Sequence, residues 1–403
     1  MVAKDSRLLA TALPYLQIFT VLALTLPPQS FVSTTRGRLR WYLMGGYVCY
    51  AASIVVLVLV VSYLNIVAIN EEVLDYNAGD FTRVIGNIQK ALYSLMAIAN
   101  QLNLLVNYRR LGGIYEEIAS LEREIDQASQ CFGGQRQRHS FRFRLAVSVG
   151  LWMVLLVGLM PRLTLLAMGP YVSWPSKVLT EFVMIMQQLK GLEYCVFVLV
   201  LHELVLRLRH TLLQLQEELE DCHQQDMLQA VCVALKRNQL LMGRIWRLEG
   251  ELASYFSLPM ILLFIFNGLT IVHVVNWAYI DAFLDTDCSG LDRFCTCFML
   301  LMNLLIACLL SQRCINTYNC FPRILHQIRC TSAASDFPML GRGLREYSLQ
   351  LQHLKLLFTC GGFFDINLKY FGGMLVTILG YTIILIQFKV QDIAEKKYKA
   401  VTN

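Results

Sequence analysis

The sequence CGGFFDINLKYFGGMLVTILGYTIILIQF, residues Cys360–Phe388, most strongly indicates what kind of protein this 403-residue chain is. From Tyr370 to Phe388 it contains nineteen residues and no charge. At about 1.5 Å per residue, this length crosses a hydrocarbon core of roughly 30 Å. The stretch therefore predicts a membrane-spanning helix.

Five glycines and one amide distinguish this helix from a plain lipid anchor. The glycines expose backbone against which other helices can pack closely, and Gln387 places a polar group near one end. Two interpretations stay open at this point. The segment is either one packed helix among several, with its amide reaching the interface, or a helix that borders water.

The composition of the whole chain points to the membrane as well. Hydrophobic residues make up 56% and charged residues 16%, and the mean hydropathy is +0.49, whereas soluble domains carry about 25% charged residues. The net charge of +6 could suggest nucleic acid, but the basic residues are scattered beside apolar segments. We therefore expect a lipid bilayer as partner and no nucleic acid.

Seven segments are long and apolar enough to cross the bilayer. The second is the most polar, but its polar side chains, Lys90 and Gln101 among them, recur at helical steps and can share one protein-facing stripe. An apolar stretch before the first span, Leu8–Leu26, is interrupted by Pro14 and is expected to form an interfacial or re-entrant lead-in helix. The predicted spans are 41–66, 84–107, 145–168, 178–204, 254–280, 294–318 and 366–388.

Basic residues in the connections predict the orientation. Residues 1–40 contain five, and the loops 109–142, 207–250 and 313–363 contain six each. The opposite loops contain one each, and the C-terminal tail contains four. The positive-inside rule then predicts an all-α polytopic membrane protein, one domain over 1–403, with a cytoplasmic N-terminus and an extracellular C-terminus.

Three loop segments have an amphipathic helical pattern. His202–Cys222 carries leucines at three- and four-residue steps, and Met227–Leu252 and Leu344–Phe358 repeat the pattern. A solvated helix with an apolar seam needs a surface on which to bury it. We expect these helices to extend the spans into a cytoplasmic bundle; the alternative is a helix lying on the membrane surface.

Charged residues inside the spans collect at one depth, the predicted outer third. A charge at mid-bilayer costs about 2.5–3.5 kcal/mol on insertion scales, so several at one level suggest a wet cavity open to the outside. Aromatic surface with a few polar groups is typical of small-molecule sites. The alternatives are snorkelling of the cations and ordinary interfacial aromatic residues. The candidate ligand-binding residues are Lys90, Arg162, Glu181, His273, Asn276, Trp277 and Phe298.

No set of residues indicates catalysis, a cofactor or a metal. The chain lacks a nucleophile elbow, HExxH, a phosphate loop and a dinucleotide fingerprint. Its thirteen cysteines show no zinc-type spacing with histidine, and most are expected to be packing thiols. Cys288, Cys295 and Cys297 leave a small disulfide open as a less favoured alternative.

The end of the last span resembles insect gustatory receptors. That family closes its last helix with TYhhhhhQF, where h is apolar, and this chain has Tyr381, five residues, then Gln387 and Phe388. The leading Thr is Gly380, and Thr382 occupies the first apolar position. The predicted topology is also that of the family and the reverse of G-protein-coupled receptors, whose sequence marks are absent.

The resemblance implies a ligand-gated, non-selective cation channel in the plasma membrane of sensory neurons, on the dendrite, axon and cell body. Four subunits, of this or other gustatory receptors, would surround one pore lined by the last helix at Tyr381, Ile383, Ile386 and Gln387. The mixed-sign pocket and the lack of the sugar subgroup's Glu after the motif Tyr favour bitter or other non-sugar tastants. The alternatives are an odorant-type or co-receptor subunit of the same superfamily, or a secondary transporter.

Overall fold

The computed structural model describes residues 6–26, 37–75, 80–130, 140–167, 172–220, 225–284, 290–329 and 337–402. Within these ranges the chain is helical apart from one short β-hairpin and the connections. The elements in chain order are α1 (Arg7–Val21), α2 (Gly37–Asp75), α3 (Asp80–Gln130), α4 (Ser140–Leu145), a π-helical turn (Ala146–Gly150), α5 (Leu151–Gly158), α6 (Met160–Ala167), α7 (Trp174–Glu220), α8 (Gln225–Leu284), α9 (Gly290–Tyr318), α10 (Phe321–Arg329), α11 (Pro338–His353), β1 (Thr359–Cys360), β2 (Phe364–Asp365) and α12 (Leu368–Thr402).

Each predicted span overlaps one or more of these helices over almost all of its length, which confirms the helical fold class. By length and composition, five segments of the described chain could cross a membrane: Gly45–Asp75, Phe141–Leu165, Leu228–Tyr279, Leu291–Ile328 and Leu368–Phe388. The other two predicted spans, on α3 and α7, carry more polar side chains. The count of seven and the orientation of the bundle therefore stay predictions.

The polar helix α7 lies in the middle of the bundle. Residues 183–205 are buried apart from partial exposure at two positions. The amides of Gln188 and Asn267 exchange hydrogen bonds of 2.7 and 3.1 Å. Asn303 on α9 donates to the Gln188 side chain at 2.8 Å and accepts from Trp152 at 3.1 Å. These side chains satisfy one another's hydrogen-bonding groups. A helix that carries several polar side chains can therefore be stable in the middle of the bundle, away from lipid.

The lead-in helix α1 belongs to this bundle. Leu8, Leu16 and Phe19 are almost fully buried. The backbone carbonyls that follow the helix accept hydrogen bonds from side chains of α3 and α7: Gln101 to Ala23 at 3.0 Å, Lys190 to Leu24 at 3.0 Å and Tyr115 to Leu26 at 3.0 Å. An interfacial helix would leave its apolar face to lipid, whereas α1 buries that face against protein.

The helices α3, α7 and α8 run beyond the predicted spans and pack together with α11; we call this the extension end. The leucine seam predicted for α7, for example Leu208 and Leu212, is buried there. Arg244 of α8 contacts Glu117 at 2.8 Å and Glu124 at 2.6 Å, both on α3. The seam is therefore buried within the chain, and not on a membrane surface.

A β-hairpin separates α11 from α12, and here the predicted helix Leu344–Phe358 is too long. The helix ends at His353, and Phe358 is buried in an extended segment that leads into β1. Gly361 and Gly362 close the turn with φ of 56° and 79°. Glycine adopts such positive values readily, whereas a residue with a side chain would be strained there. The side chain of Asn367 then accepts a 2.8 Å hydrogen bond from the Tyr370 amide, which caps the start of α12.

The final helix α12 has the least buried membrane segment of the five. Only 6% of its apolar window is buried within the chain, against 28% to 56% for the other four. It packs on α8 and α9 along one side. Most of its apolar surface therefore needs lipid or another protein chain.

Candidate functional site

A cavity of about 150 Å³ lies among α2, α3, α6, α7, α8 and α9, at the end of the bundle opposite the extension end. Its lining combines aromatic rings with amides, hydroxyls and charged groups. We call it the polar cavity. An apolar cavity of this size stays dry, but the polar lining here can hold water until a ligand displaces it.

Helix α3 contributes polar side chains from little more than one helical turn to the cavity. Gln89 donates to the Thr270 hydroxyl at 3.0 Å, and Tyr93 donates to the backbone oxygen of Thr180 at 2.6 Å. The ammonium of Lys90 lies 5.9 Å from the centre of the Tyr93 ring. These bonds hold Tyr93 and Gln89 in place, so Lys90 extends into a cavity with fixed walls.

Helix α8 forms the opposite wall. Phe266, Thr270, His273 and Trp277 recur at four-, three- and four-residue steps, so they share one helix face. The rings of His273 and Trp277 meet edge to face with centroids 6.4 Å apart. Gly86 of α3 leaves room for the side chains of His273 and Ile69, because a Cβ there would lie 3.3 Å from Cε1 of His273 and 3.0 Å from Cγ2 of Ile69.

Three of the seven predicted ligand-binding residues line the polar cavity: Lys90, His273 and Trp277. Glu181 is buried outside its lining and bonds the Thr164 hydroxyl. Arg162 is exposed, and the side chain of Phe298 is 52% exposed, so neither lies in the lining. A ligand role for these residues stays a prediction.

Asn276 faces a second, much smaller void. This void, of about 10 Å³, lies between α8 and α12 and has Thr382, Leu385 and Ile386 on its α12 side. Asn276 also donates a 3.1 Å hydrogen bond to Thr82 of α3. The predicted pore residues lie on α12. Tyr381 is 61%, Ile383 55% and Ile386 37% exposed, and Gln387 is exposed as well. Helix α8 thus separates the polar cavity from α12.

Several residues of the cavity were absent from the prediction. Tyr93 and Gln89 lie within one turn of Lys90, and Phe266 and Thr270 lie on the His273 face of α8. Helical spacing from Lys90 and His273, which were predicted, would have found these four residues. No spacing could have found Asn65 of α2, which donates to the Thr180 hydroxyl at 2.7 Å, because α2 meets α7 only in the folded bundle.

The described residues hold neither a disulfide nor a metal-type cluster at this end. Cys295 and Cys297 are free thiols, and Cys288 lies outside the described residues. Among the described ranges there is no group of three or more His, Cys, Asp and Glu side chains that could hold a metal ion.

Comparison with known proteins gives consistent matches over almost the whole chain. The sequence profile described as 7tm chemosensory receptor matches residues 12–392. The chain is 72% identical over 403 residues to candidate gustatory receptor 98b of Drosophila melanogaster, covering 100% of both chains. It is 51% identical over 403 residues to candidate gustatory receptor 98c of Drosophila melanogaster, covering 100% of this chain and 99% of the relative.

Solved structures with the same fold include the insect olfactory receptor OR5 from Machilis hrabei. The likeness covers 93% of this chain and 98% of OR5, with a TM-score of 0.61 and 13% identity. The complex of OR5 with eugenol gives a TM-score of 0.63 at 15% identity over the same shares of the two chains. At such identities the likeness concerns the fold alone.

Proposed function

The chain belongs to the 7tm chemosensory receptor family, and from this premise we propose that it is a gustatory receptor acting as a ligand-gated, non-selective cation channel. Its ligands are small-molecule tastants, bitter or otherwise non-sugar. It is a multi-pass protein of the sensory-neuron plasma membrane. In this proposal the extension end lies in the cytoplasm and the polar cavity opens toward the outside.

The observation that carries the proposal is the exposure of α12. In a single chain only 6% of the apolar window of this helix is buried, and the helix also carries Thr377, Gly380 and Gln387 along its length. Four copies, or a mixture with other gustatory receptor subunits, would cover part of that surface and turn the rest toward a shared pore. Ile383 and Ile386 would then form an apolar constriction that gates by dewetting, and Gln387 a neutral polar ring.

The position of α8 supports a gating route. His273 of α8 lines the polar cavity, and Val275 and Asn276 of the same helix line the void against α12. A ligand that fits the cavity better in one position of α8 would favour one position of α12. A tenfold shift in the open-to-closed ratio requires about 1.4 kcal/mol of such preference.

A patch-clamp experiment tests the pore assignment. Cells expressing the chain, alone and with other gustatory receptor subunits, should show tastant-evoked cation current. Replacing Gln387 by Lys places a positive charge in the proposed ring, so Gln387→Lys should lower cation conductance or change rectification. The matched control Gln312→Lys makes the same change on α9, where no pore residue is proposed.

Two results would remove the proposal. If Gln387→Lys reaches the cell surface normally and conducts as the native chain does, α12 does not line the pore. If every subunit combination stays silent while a tastant is taken up with saturation, the chain is a transporter. Current that requires co-expression would instead identify this chain as a subunit of a heteromeric channel.

A further inference from the structure

The polar cavity contains an ammonium group without a counter-ion from the described chain. Lys90 lines the cavity, and the contact recorded for its ammonium is the Tyr93 ring at 5.9 Å. Among the described residues no carboxylate lies within 4.0 Å of its Nζ atom. An ammonium group withdrawn from bulk water is costly unless an anion or several acceptors approach it.

Charge in the cavity lining is also unevenly distributed. Arg293 of α9 lines the same cavity, and His273 is within electrostatic reach of both Lys90 and Arg293. Glu72 supplies the acidic group in the lining. A second carboxylate, that of Glu181, lies behind the lining on the Thr164 hydroxyl. A negative guest is therefore favoured at the ammonium of Lys90, which has no carboxylate partner among the described residues, and not across the whole cavity.

The rest of the lining limits the size and shape of that guest. Phe266 and Trp277 provide apolar ring surface from α8, and Met184 adds to it from α7. The cavity volume of about 150 Å³ equals that of a cavity known to bind benzene. A compact apolar body of about one ring therefore fits beside the ammonium group.

From these three observations we infer that the polar cavity binds small carboxylates, with the carboxylate on the Lys90 ammonium and the apolar body against Phe266 and Trp277. The inference rests on the proposed function for its consequence, gating, but the binding step stands on the cavity alone. A charge-assisted hydrogen bond in this setting gives the carboxylate an advantage of about ten- to hundredfold over an uncharged molecule of the same shape.

The binding test uses two pairs of molecules matched in shape, benzoate with benzamide and hexanoate with hexanamide. The full chain is purified into lipid nanodiscs, and the shift of its melting temperature is measured against the concentration of each molecule. At least one carboxylate should bind about ten- to hundredfold more tightly than its amide. Equal binding of both members in both pairs, or no binding by any, overturns the inference.

Two variants identify the responsible cation. Lys90→Met keeps an unbranched side chain, one heavy atom shorter, and removes its charge. The preference for the carboxylate should therefore disappear while the amide binds as before. Lys236→Met is the matched control, because it removes a half-exposed lysine that pairs with Glu346 at the extension end; here the preference should persist. A preference that survives in Lys90→Met overturns the assignment to Lys90.

Current recordings with the same molecules separate this inference from the channel proposal. If the carboxylates bind through Lys90 but evoke no current in any subunit combination, the inference holds and the channel function fails. If neutral tastants evoke current and the carboxylates show no advantage, the channel function holds and the inference fails.

Discussion

His273 and Asn276 are three residues apart on α8 but face different spaces. His273 lines the polar cavity, and Asn276 lines the void between α8 and α12. A single helix therefore contacts both the candidate ligand site and the candidate pore helix. If a ligand in the polar cavity favours a rotation of α8, the packing of α8 against α12 must change as well, because packed interiors do not deform freely.

Shortening Leu385 to Ala should weaken this connection. The substitution enlarges the void between α8 and α12, so movement of α8 is transmitted less completely. Coupling between two sites typically changes the affinity at one of them by about 5- to 150-fold. We expect the partial loss in Leu385→Ala to raise the tastant concentration for half-maximal current by about three- to tenfold, with the affinity for the tastant unchanged. Leu258→Ala, at a 48% exposed position of α8, is the control and should leave both values as they are. A parallel loss of binding in Leu385→Ala would contradict the coupling role.

Adding a methyl group at Gly86 should impair ligand binding. A Cβ at this position lies 3.0 Å from Ile69 and 3.3 Å from His273, so both side chains must shift into the cavity or out of their packing. In an open helical position the same change stabilises by about 1 kcal/mol. Gly113→Ala on α3 has nothing within 4 Å and should be neutral or stabilising. The melting temperature and the tastant affinity of the Gly86→Ala and Gly113→Ala variants are measured. If both variants change these values equally, Gly86 has no packing role.

Removing the charge of Lys190 should destabilise the folded bundle strongly. Its ammonium lies 2.6 Å from Glu193 and 3.0 Å from the Leu24 carbonyl, and both charged side chains are at most 1% exposed. Removing one partner of such a buried ion pair lowers the free energy of unfolding by about 3–5 kcal/mol, because the other charge stays buried without a partner. Lys190→Met should therefore lower the melting temperature and the yield, and the double variant with Glu193→Gln should recover much of the loss. A double variant as unstable as the single one would place the main role of Lys190 at the Leu24 carbonyl.

Arg244→Met should loosen the extension end in a pH-dependent way. Burial alone would raise the pKa of Glu124, but hydrogen bonds from Arg244 and Ser120 outweigh it and hold that pKa below its ordinary 4.5. A carboxylate with a lowered pKa stabilises the fold above its unfolded pKa, and this contribution is lost as the pH falls through the folded pKa. We expect a loss of about 1 kcal/mol at pH 7 that shrinks below about pH 4.5.

The control for this prediction is a simpler surface pair. Lys236 lies 3.2 Å from Glu346, and both side chains are about half exposed. An exposed pair of this kind contributes little, so Lys236→Met should change the melting temperature hardly at all. A loss in Arg244→Met that is the same at pH 4 and pH 7 would show that packing, and not the charge on Glu124, is responsible.

Much of the architecture was predictable because it depends on local composition. The apolar runs and the 3.6-residue pattern of the leucines on α7 predicted the helices and the packed extension end. The hairpin at Gly361 and Gly362 was missed. The leucines before it continue a helical pattern, and only tertiary contacts pull Phe358 into an extended segment.

The candidate site was predictable in part for a similar reason. Lys90, His273 and Trp277 were identified because a charge or a polar aromatic residue inside an apolar helix is rare. Asn65 and Thr180 escaped, since hydroxyls and single amides are common in membrane helices and carry no signal of their own. Glu181 and Arg162 were predicted at the same depth, but Arg162 is exposed and Glu181 lies behind the lining on the Thr164 hydroxyl. Depth alone does not determine direction.

The amino-acid sequence by itself determined that this chain is a helical membrane protein and that its last helix carries the signature of a chemosensory family, because hydropathy and a short motif are properties of consecutive residues. Only the tertiary structure decided that the lead-in helix buries one face in the bundle, that Lys90 shares a cavity with Trp277, and that Asn276 faces α12. Those relationships join residues far apart in the chain, and they exist only once the helices have packed in one particular rotation about their axes.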